Sequence, residues 1–308
     1  MDQAQDTSTS SPRRQDSEGQ AVQDTYSAVW VSHTSIQDFL SCPRAYYIKN
    51  IYKDPTSGRK IKLMAPPLAL GQAVHEVLDE ISLLPKETRF TKSLIDRLDV
   101  AWEKIAGEKG GFTSTSQEEQ FKKRARSMLE RVTKHKGPLA GLAVKIKMDL
   151  PHFWLSEKDQ IILCGKLDWL EYTPDRDSVS IIDFKTGVNE EATDSLQLPI
   201  YFLLAQNCQP RTVERASYWY LDRNDEPQEQ PLPDAKQAMD SVYKIAKEIK
   251  LAKSLKRFKC RYGECRNCKP LEKVLKNQAT YIGIDEYGRD MYILPDSNNN
   301  TDQKSVIL

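Results

Sequence analysis

The chain has 308 residues, with 45 Lys and Arg against 44 Asp and Glu, and is 39% hydrophobic and 29% charged. At 35.3 kDa and a mean hydropathy of −0.62 it can bury a core yet stays polar on average, which excludes a small disulfide scaffold and a wholly disordered chain. No apolar run approaches the roughly 20 residues that span a bilayer, so no membrane role is expected, and a net charge of +1 singles out no partner.

Residues 1–28 are rich in Gln, Asp, Ser and Thr and bury too little to offset their ordering entropy, so a disordered tail is expected there. That stretch also lacks the apolar segment of a secretory signal, which makes a cytoplasmic location the expectation. SHTSIQDFLSCPRAYYIKN then predicts a helix capped by Ser35, with Asp38 completing a capping-box-like pattern and Pro43 interrupting or restarting it. A second helix is predicted from about Leu68 to Leu83, with Leu70, Val74, Val77, Leu78 and Ile81 near one stripe. Two more follow at about 91–106 and 117–135.

Strand signals then take over. AVKIKMDLPHFWL alternates as a half-buried strand should, while QIILCGKLDWLEY and SVSIIDFKTG are more continuously apolar and read as central strands split by the turn-like TPDRD. SLQLPIYFLLAQ is helical, because Pro199 sits near its start, where a missing N–H costs little. RASYWYLD is a strand and 234–255 a long amphipathic helix. A cysteine-rich segment over 256–275, a hairpin in YIGIDEYGRDMYIL and a second disordered tail over 296–308 complete the chain. The plan is one α/β domain over 29–295, a central mixed β-sheet flanked by helices with a C-terminal cysteine-rich extension.

Chemistry gathers on the two central strands. Residues two apart on a strand share a face, so Asp183 and Lys185 emerge side by side, next to an Ile-Ile run that makes unpaired burial expensive. If the strands form a hairpin, Asp168 comes close to Asp183. Two carboxylates converging with a lysine suit a hard divalent cation, magnesium or manganese (Mg2+ or Mn2+). The lysine could then orient or help deprotonate a water.

An acid on one strand followed by D-x-K on the next resembles the PD-(D/E)XK nuclease superfamily, and four motifs in order resemble its RecB-like branch. G-x-x-x-H is present as Gly71 to His75, G-x-x-D as Gly165 to Asp168, D-F/Y-K-T-G as Asp183 to Gly187, and Q-x-x-x-Y as Gln197 to Tyr201. The resemblance implies a restriction-endonuclease-like core in which His75, Asp168, Asp183 and the main-chain carbonyl of Phe184 bind metal. Asp168, Asp183 and Lys185 would be catalytic, and Gln197 and Tyr201 would position nucleic acid or support the site. It further implies a metal-dependent exonuclease or endonuclease hydrolysing DNA phosphodiesters at single strands or ends, in repair, recombination or defence. The alternative is a nuclease-like fold that binds nucleic acid without cutting. No G-x-x-x-x-G-K-S/T motif is present, so any helicase would be a partner in trans.

Of six cysteines, three form a C-x4-C-x2-C run, a spacing that suggests a metal or cluster site more than disulfides. The resemblance implies an iron–sulfur cluster, of the four-iron, four-sulfur kind, on Cys42 ahead of the core and Cys260, Cys265 and Cys268 after it. The family's more usual order places C-x2-C first, and a four-thiolate zinc site accepts the same ligands. Cys164 and Cys208 read as ordinary core or boundary residues, and His33, His135 and His152 have no ligand-spaced company.

Two segments could meet phosphate. Residues 121–147 hold nine Lys or Arg against Glu130 alone, and residues 251–276 hold nine against Glu264 and Glu272. Tyr46, Tyr47, Trp219 and Tyr220 are candidate stacking surfaces for single-stranded bases.

Overall fold

The computed structural model describes residues 27–294. The expected tails over 1–28 and 296–308 lie outside the described residues, save for 27 and 28. In chain order, β1 (Val29–Val31), α1 (His33–Ser41), α2 (Pro43–Tyr46) and a π turn over Tyr47–Ile51 lead to β2 (Ile61–Leu63). Three helices follow, α3 (Pro66–Ser82), α4 (Leu94–Glu103) and α5 (Thr115–Lys134). Then come β3 (Leu142–Ala143), β4 (His152–Ser156), β5 (Ile161–Cys164), β6 (Trp169–Thr173) and β7 (Ser178–Lys185). The chain continues as α6 (Gln197–Cys208), β8 (Thr212–Tyr220), β9 (Gln228–Gln230), α7 (Ala235–Ser254) and α8 (Lys269–Leu275), and the last strands are β10 (Thr280–Ile284) and β11 (Asp290–Ile293).

The central sheet has the order β3-β6-β7-β8-β9. β7 and β8 run parallel, joined by the α6 crossover, and every other pair is antiparallel, so the sheet is mixed as expected. Helices cover both faces, which is why β7 is apolar almost throughout. Val179 and Ile181 join the core with α6 and α7, while Ile182 and Phe184 join the one with α3, α4 and α5. Side chains of opposite parity on one strand thus build two separate cores.

Several local expectations change. The cap of α1 is Ser32 rather than Ser35. Extended backbone at Ser32 lets its Oγ accept from the Ser35 N–H, while the Ser35 Oγ accepts from the Ser32 N–H. The long strand expected over AVKIKMDLPHFWL breaks up: residues 144–151 lie in no strand, and β4 starts only after Pro151, which has no N–H to give a ladder. QIILCGKLDWLEY also divides. β5 belongs to a separate sheet of order β1-β5-β4, and β6 to the central one. The break falls at Gly165, where a Cβ would lie 2.8 Å from Leu204 Cδ1 of α6, so the chain turns where only a bare Cα fits without a shift.

The expected terminal hairpin is present as β10 and β11, and β11 also pairs in parallel with β2, joining segments far apart in sequence. Arg59 Nε reinforces that junction, donating to Asp290 Oδ1 at 2.7 Å. Among the described residues, no helix is long and apolar enough to cross a membrane.

Candidate active site and cysteine centre

Side chains from both helical layers reach the end of β7. Asp183 is 2% exposed and faces α6, where Gln197 Nε2 donates to its Oδ1 at 2.8 Å. Lys185, two residues on, shares that face: its Nζ lies 3.0 Å from Asp183 Oδ2 and 3.0 Å from Glu191 Oε2, and it also donates to Gln197 Oε1. Gln197 and Tyr201, four apart on α6, are in contact, with Nε2 3.3 Å from the phenol oxygen.

Asp168 is not within a strand. It occupies the bend just before β6. Trp169 pairs with Ile182, and the antiparallel register carries residue 168 to the level of 183. Its Oδ2 accepts the Phe184 N–H at 2.9 Å, and His75 Nδ1 from α3 lies 3.5 Å from the same oxygen. α3 can come this close because Gly71 meets Thr186, whose Oγ1 would stand 3.2 Å from a Cβ there. The four sequence motifs therefore converge, each from a different element.

The charges are in conflict. Burial, then the neighbouring Asp168, push the Asp183 carboxyl up to about 7, against the pull of Lys185. Burial opposes a charged His75, but Asp168, Asp183 and Asp79 outweigh it and carry the imidazole up to about 9. Asp183 Oδ2, although beside the Lys185 ammonium, takes no hydrogen bond of acceptable geometry. A buried carboxylate with an orphaned oxygen, beside the half-buried Asp168, makes a donor set that fits a divalent cation by charge. The spacing is open: among the described residues only the four cysteines bring three or more donor atoms within 4.8 Å of one another.

Two further residues border this group and carried no motif signal. Glu191 lies in the loop between β7 and α6, fixed where its N–H donates to the Tyr220 Oη at 2.9 Å. His33, at the start of α1, sets its ring edge-on to Tyr201 at 6.4 Å, with a buried Nε2 that has no hydrogen-bond partner. Burial, opposed by Glu191, holds His33 below the usual imidazole range. His33 is remote in sequence from the D-x-K strand, and Glu191, though only six residues past Lys185, lies in a loop with no fixed periodicity, so no spacing rule could link them to it.

The cysteines meet as expected. Cys42 stands at the junction of α1 and α2, Cys268 caps α8, and Cys260 and Cys265 lie in the loop between α7 and α8. All four Sγ atoms lie within 4.8 Å of one another, and those of Cys265 and Cys268 are 3.8 Å apart. Backbone N–H groups of Cys268 and Asn267 bring the Cys265 thiol down to about 7, whereas burial pushes that of Cys268 up to about 12. Arg44 Nε, donating to Glu272 Oε1 at 2.5 Å, ties α2 to α8 beside the centre. Ile48, Ile61, Leu271 and Val274 form the apolar cluster around it. Cys164 and Cys208 lie apart, in β5 and at the end of α6.

The expected nucleic-acid surfaces divide. Tyr46, Trp219 and Tyr220 are 2%, 0% and 4% exposed and belong to the core; of the four aromatics only Tyr47 remains partly open. The basic run on α5 is largely neutralised. Lys122 and Arg126 pair with Asp99, Arg124 with Asp222, and Arg131 with Asp225, while Ala125, Met128, Leu129 and Val132 bury the opposite face.

A family model described as the PD-(D/E)XK nuclease superfamily matches residues 30–270. No curated protein sequence matches the chain. That span covers well over half the chain and includes every residue of the β7 group, on a mixed sheet with helices on both faces: the chain belongs to the PD-(D/E)XK nuclease superfamily.

Proposed function

We propose that this protein is a RecB-like nuclease that hydrolyses DNA phosphodiester bonds at single strands or ends, in repair, recombination or defence. The observation that carries the reading is the Asp183 carboxylate, buried at the end of β7 beside Asp168, with one oxygen lacking a proper donor. A structural ion pair needs no second acid in that place. Magnesium or manganese would be held by His75, Asp168, Asp183 and the Phe184 carbonyl, and would stabilise charge on a phosphodiester oxygen. Lys185 is held by three oxygens, from Asp183, Glu191 and Gln197, which account for its three N–H donors, so a water or phosphate oxygen would take the place of one of them. Gln197 grips Asp183 and Lys185 through one amide, and Tyr201 backs that amide.

The test is a panel of labelled single-stranded DNA, duplex DNA and RNA incubated with magnesium or manganese. Cleavage of DNA that disappears in Asp183→Ala and Lys185→Ala is expected. Cleavage unchanged in both variants, or none of any substrate, overturns the proposal.

For the cysteine centre we propose a single tetrahedral ion, zinc, in place of the iron–sulfur cluster that the resemblance implies. A Zn–S bond of about 2.3 Å sets the sulfurs of a tetrahedral site roughly 3.8 Å apart. The Cys265–Cys268 separation of 3.8 Å and the 4.8 Å limit on all four support that scale. A cube of four irons and four sulfides holds its thiolates farther apart than one ion does. Anaerobically purified protein should be colourless and carry one zinc per chain; a brown protein with iron and sulfide refutes this.

A further inference from the structure

Beside the cysteine centre, the π turn after α2 and the loop after α7 enclose a groove of about 760 Å3. Lys253, Lys256 and Lys259 line it together with Arg44, and Tyr47 and Phe258 lie among them. None of the three lysines has a carboxylate partner among the described residues, in contrast to the cations of α5. Partial burial, and then the nearby Lys60 ammonium, pull Lys253 below the usual lysine range. Like charges crowded together without a counter-ion favour a bound anion.

The groove also has an aromatic component. The rings of Tyr47 and Phe258 stack 5.3 Å apart at 29°, both half-buried, with the Arg44 guanidinium 5.4 Å from the Tyr47 centroid. A second groove, with Ser32, Asn50 and Lys60 in its lining, shares Ile51 and Lys253 with the first. Ser32, in its lining, immediately precedes His33, which borders the catalytic group.

We propose that these joined grooves carry a single-stranded nucleic acid past the cysteine centre toward the end of β7. Its phosphates lie on Lys253, Lys256 and Lys259, and its bases against Tyr47 and Phe258. Unpaired cations in a row suit a phosphate backbone, and flat rings among them suit unstacked bases, which a duplex does not offer. The direction of the strand rests on the nuclease reading above; the binding does not.

The experiment is a fluorescence-anisotropy titration of the full chain carrying Asp183→Asn, with a labelled oligothymidylate of roughly 20 nucleotides over a series of salt concentrations. Adding Lys253→Gln and Lys256→Gln should weaken binding about tenfold and reduce the slope of log affinity against log salt by about 1.4, two contacts at about 0.7 each. Lys253→Arg with Lys256→Arg should keep the slope, which separates lost charge from lost fold. Phe258→Leu should weaken binding about tenfold with the slope unchanged. A slope that survives the Gln pair, or a duplex of equal length bound as tightly as the single strand, overturns the proposal. In a parallel arm, the Gln pair on the otherwise wild-type chain should cleave a small phosphodiester, thymidine 5′-(p-nitrophenyl phosphate), as the wild type does. Failure of the wild type to cleave any strand of the DNA and RNA panel sinks the nuclease reading alone, because the binding titration does not depend on it.

Discussion

Gln197→Leu removes an amide that hydrogen-bonds both Asp183 and Lys185. The residue is 7% exposed, so water cannot take the place of its amide. Lys185 keeps its two carboxylates at 3.0 Å and stays in position. The loss therefore concentrates on Asp183 Oδ1, whose 2.8 Å donor disappears. A buried acceptor left without a donor costs about 1–3 kcal/mol. If that cost falls on the orientation needed in the transition state, kcat drops about five- to 150-fold. Initial rates on a short labelled strand with magnesium would show a fall in kcat with KM little changed, and circular-dichroism melts would shift by only a few degrees. An unaltered kcat beside a large loss of melting temperature would mean that the amide only supports the fold, and the argument for it as a clamp would fail.

Lys185→Met should melt like the wild type yet lose cleavage, whereas Cys268→Ser should lower the melting temperature by several degrees, because Cys268 is fully buried at the centre joining α2 and α8; equal melting losses in the two would contradict this. Arg89 is buried without a carboxylate partner in the described structure, and donates to the carbonyls of Leu84, Leu139 and Gly141 at 3.1, 2.9 and 2.6 Å. Arg89→Leu strands those carbonyls and should cost about 3 kcal/mol in urea titrations. Although burial opposes it, Arg289 and Lys62 hold the Asp285 carboxyl below the usual 3.8. A depressed folded value means that the stabilisation is complete above about 3.8 and is lost as pH falls through the folded value. The melting difference between wild type and Asp285→Asn should therefore be constant near neutrality and shrink below pH 3.8; a difference that grows on acidification would reverse the assigned sign.

What was legible in the sequence depended on distance along the chain. Asp183 and Lys185 share a face because strand periodicity is two, and Gln197 and Tyr201 because a helix returns after four; both follow from a few residues of text. The apolar run of β7 announced a central strand, and the reducing-type cysteine spacing announced a cluster. Glu191 and His33 stayed hidden, since a loop acid and a helix-start imidazole reach the same group only through tertiary packing. The basic residues of α5 misled for a related reason: their acids, Asp99, Asp222 and Asp225, lie on other elements. Alternation over 143–155 suggested one strand because a hydropathy pattern does not register that Pro151 interrupts the ladder.

The pairing of β2 with β11 bears on how the chain is made. Translation delivers residues 61–63 long before residues 290–293, and Cys42 long before its three fellow thiols. Throughout that interval β2 lacks its β11 partner, although β1 can already pair with β5, and domains tend to fold as units once their parts have emerged. A nascent or prematurely ended chain thus lacks both the β2–β11 pairing and the full set of four thiols, so the cysteine centre and the edge beside it assemble only when synthesis is nearly over.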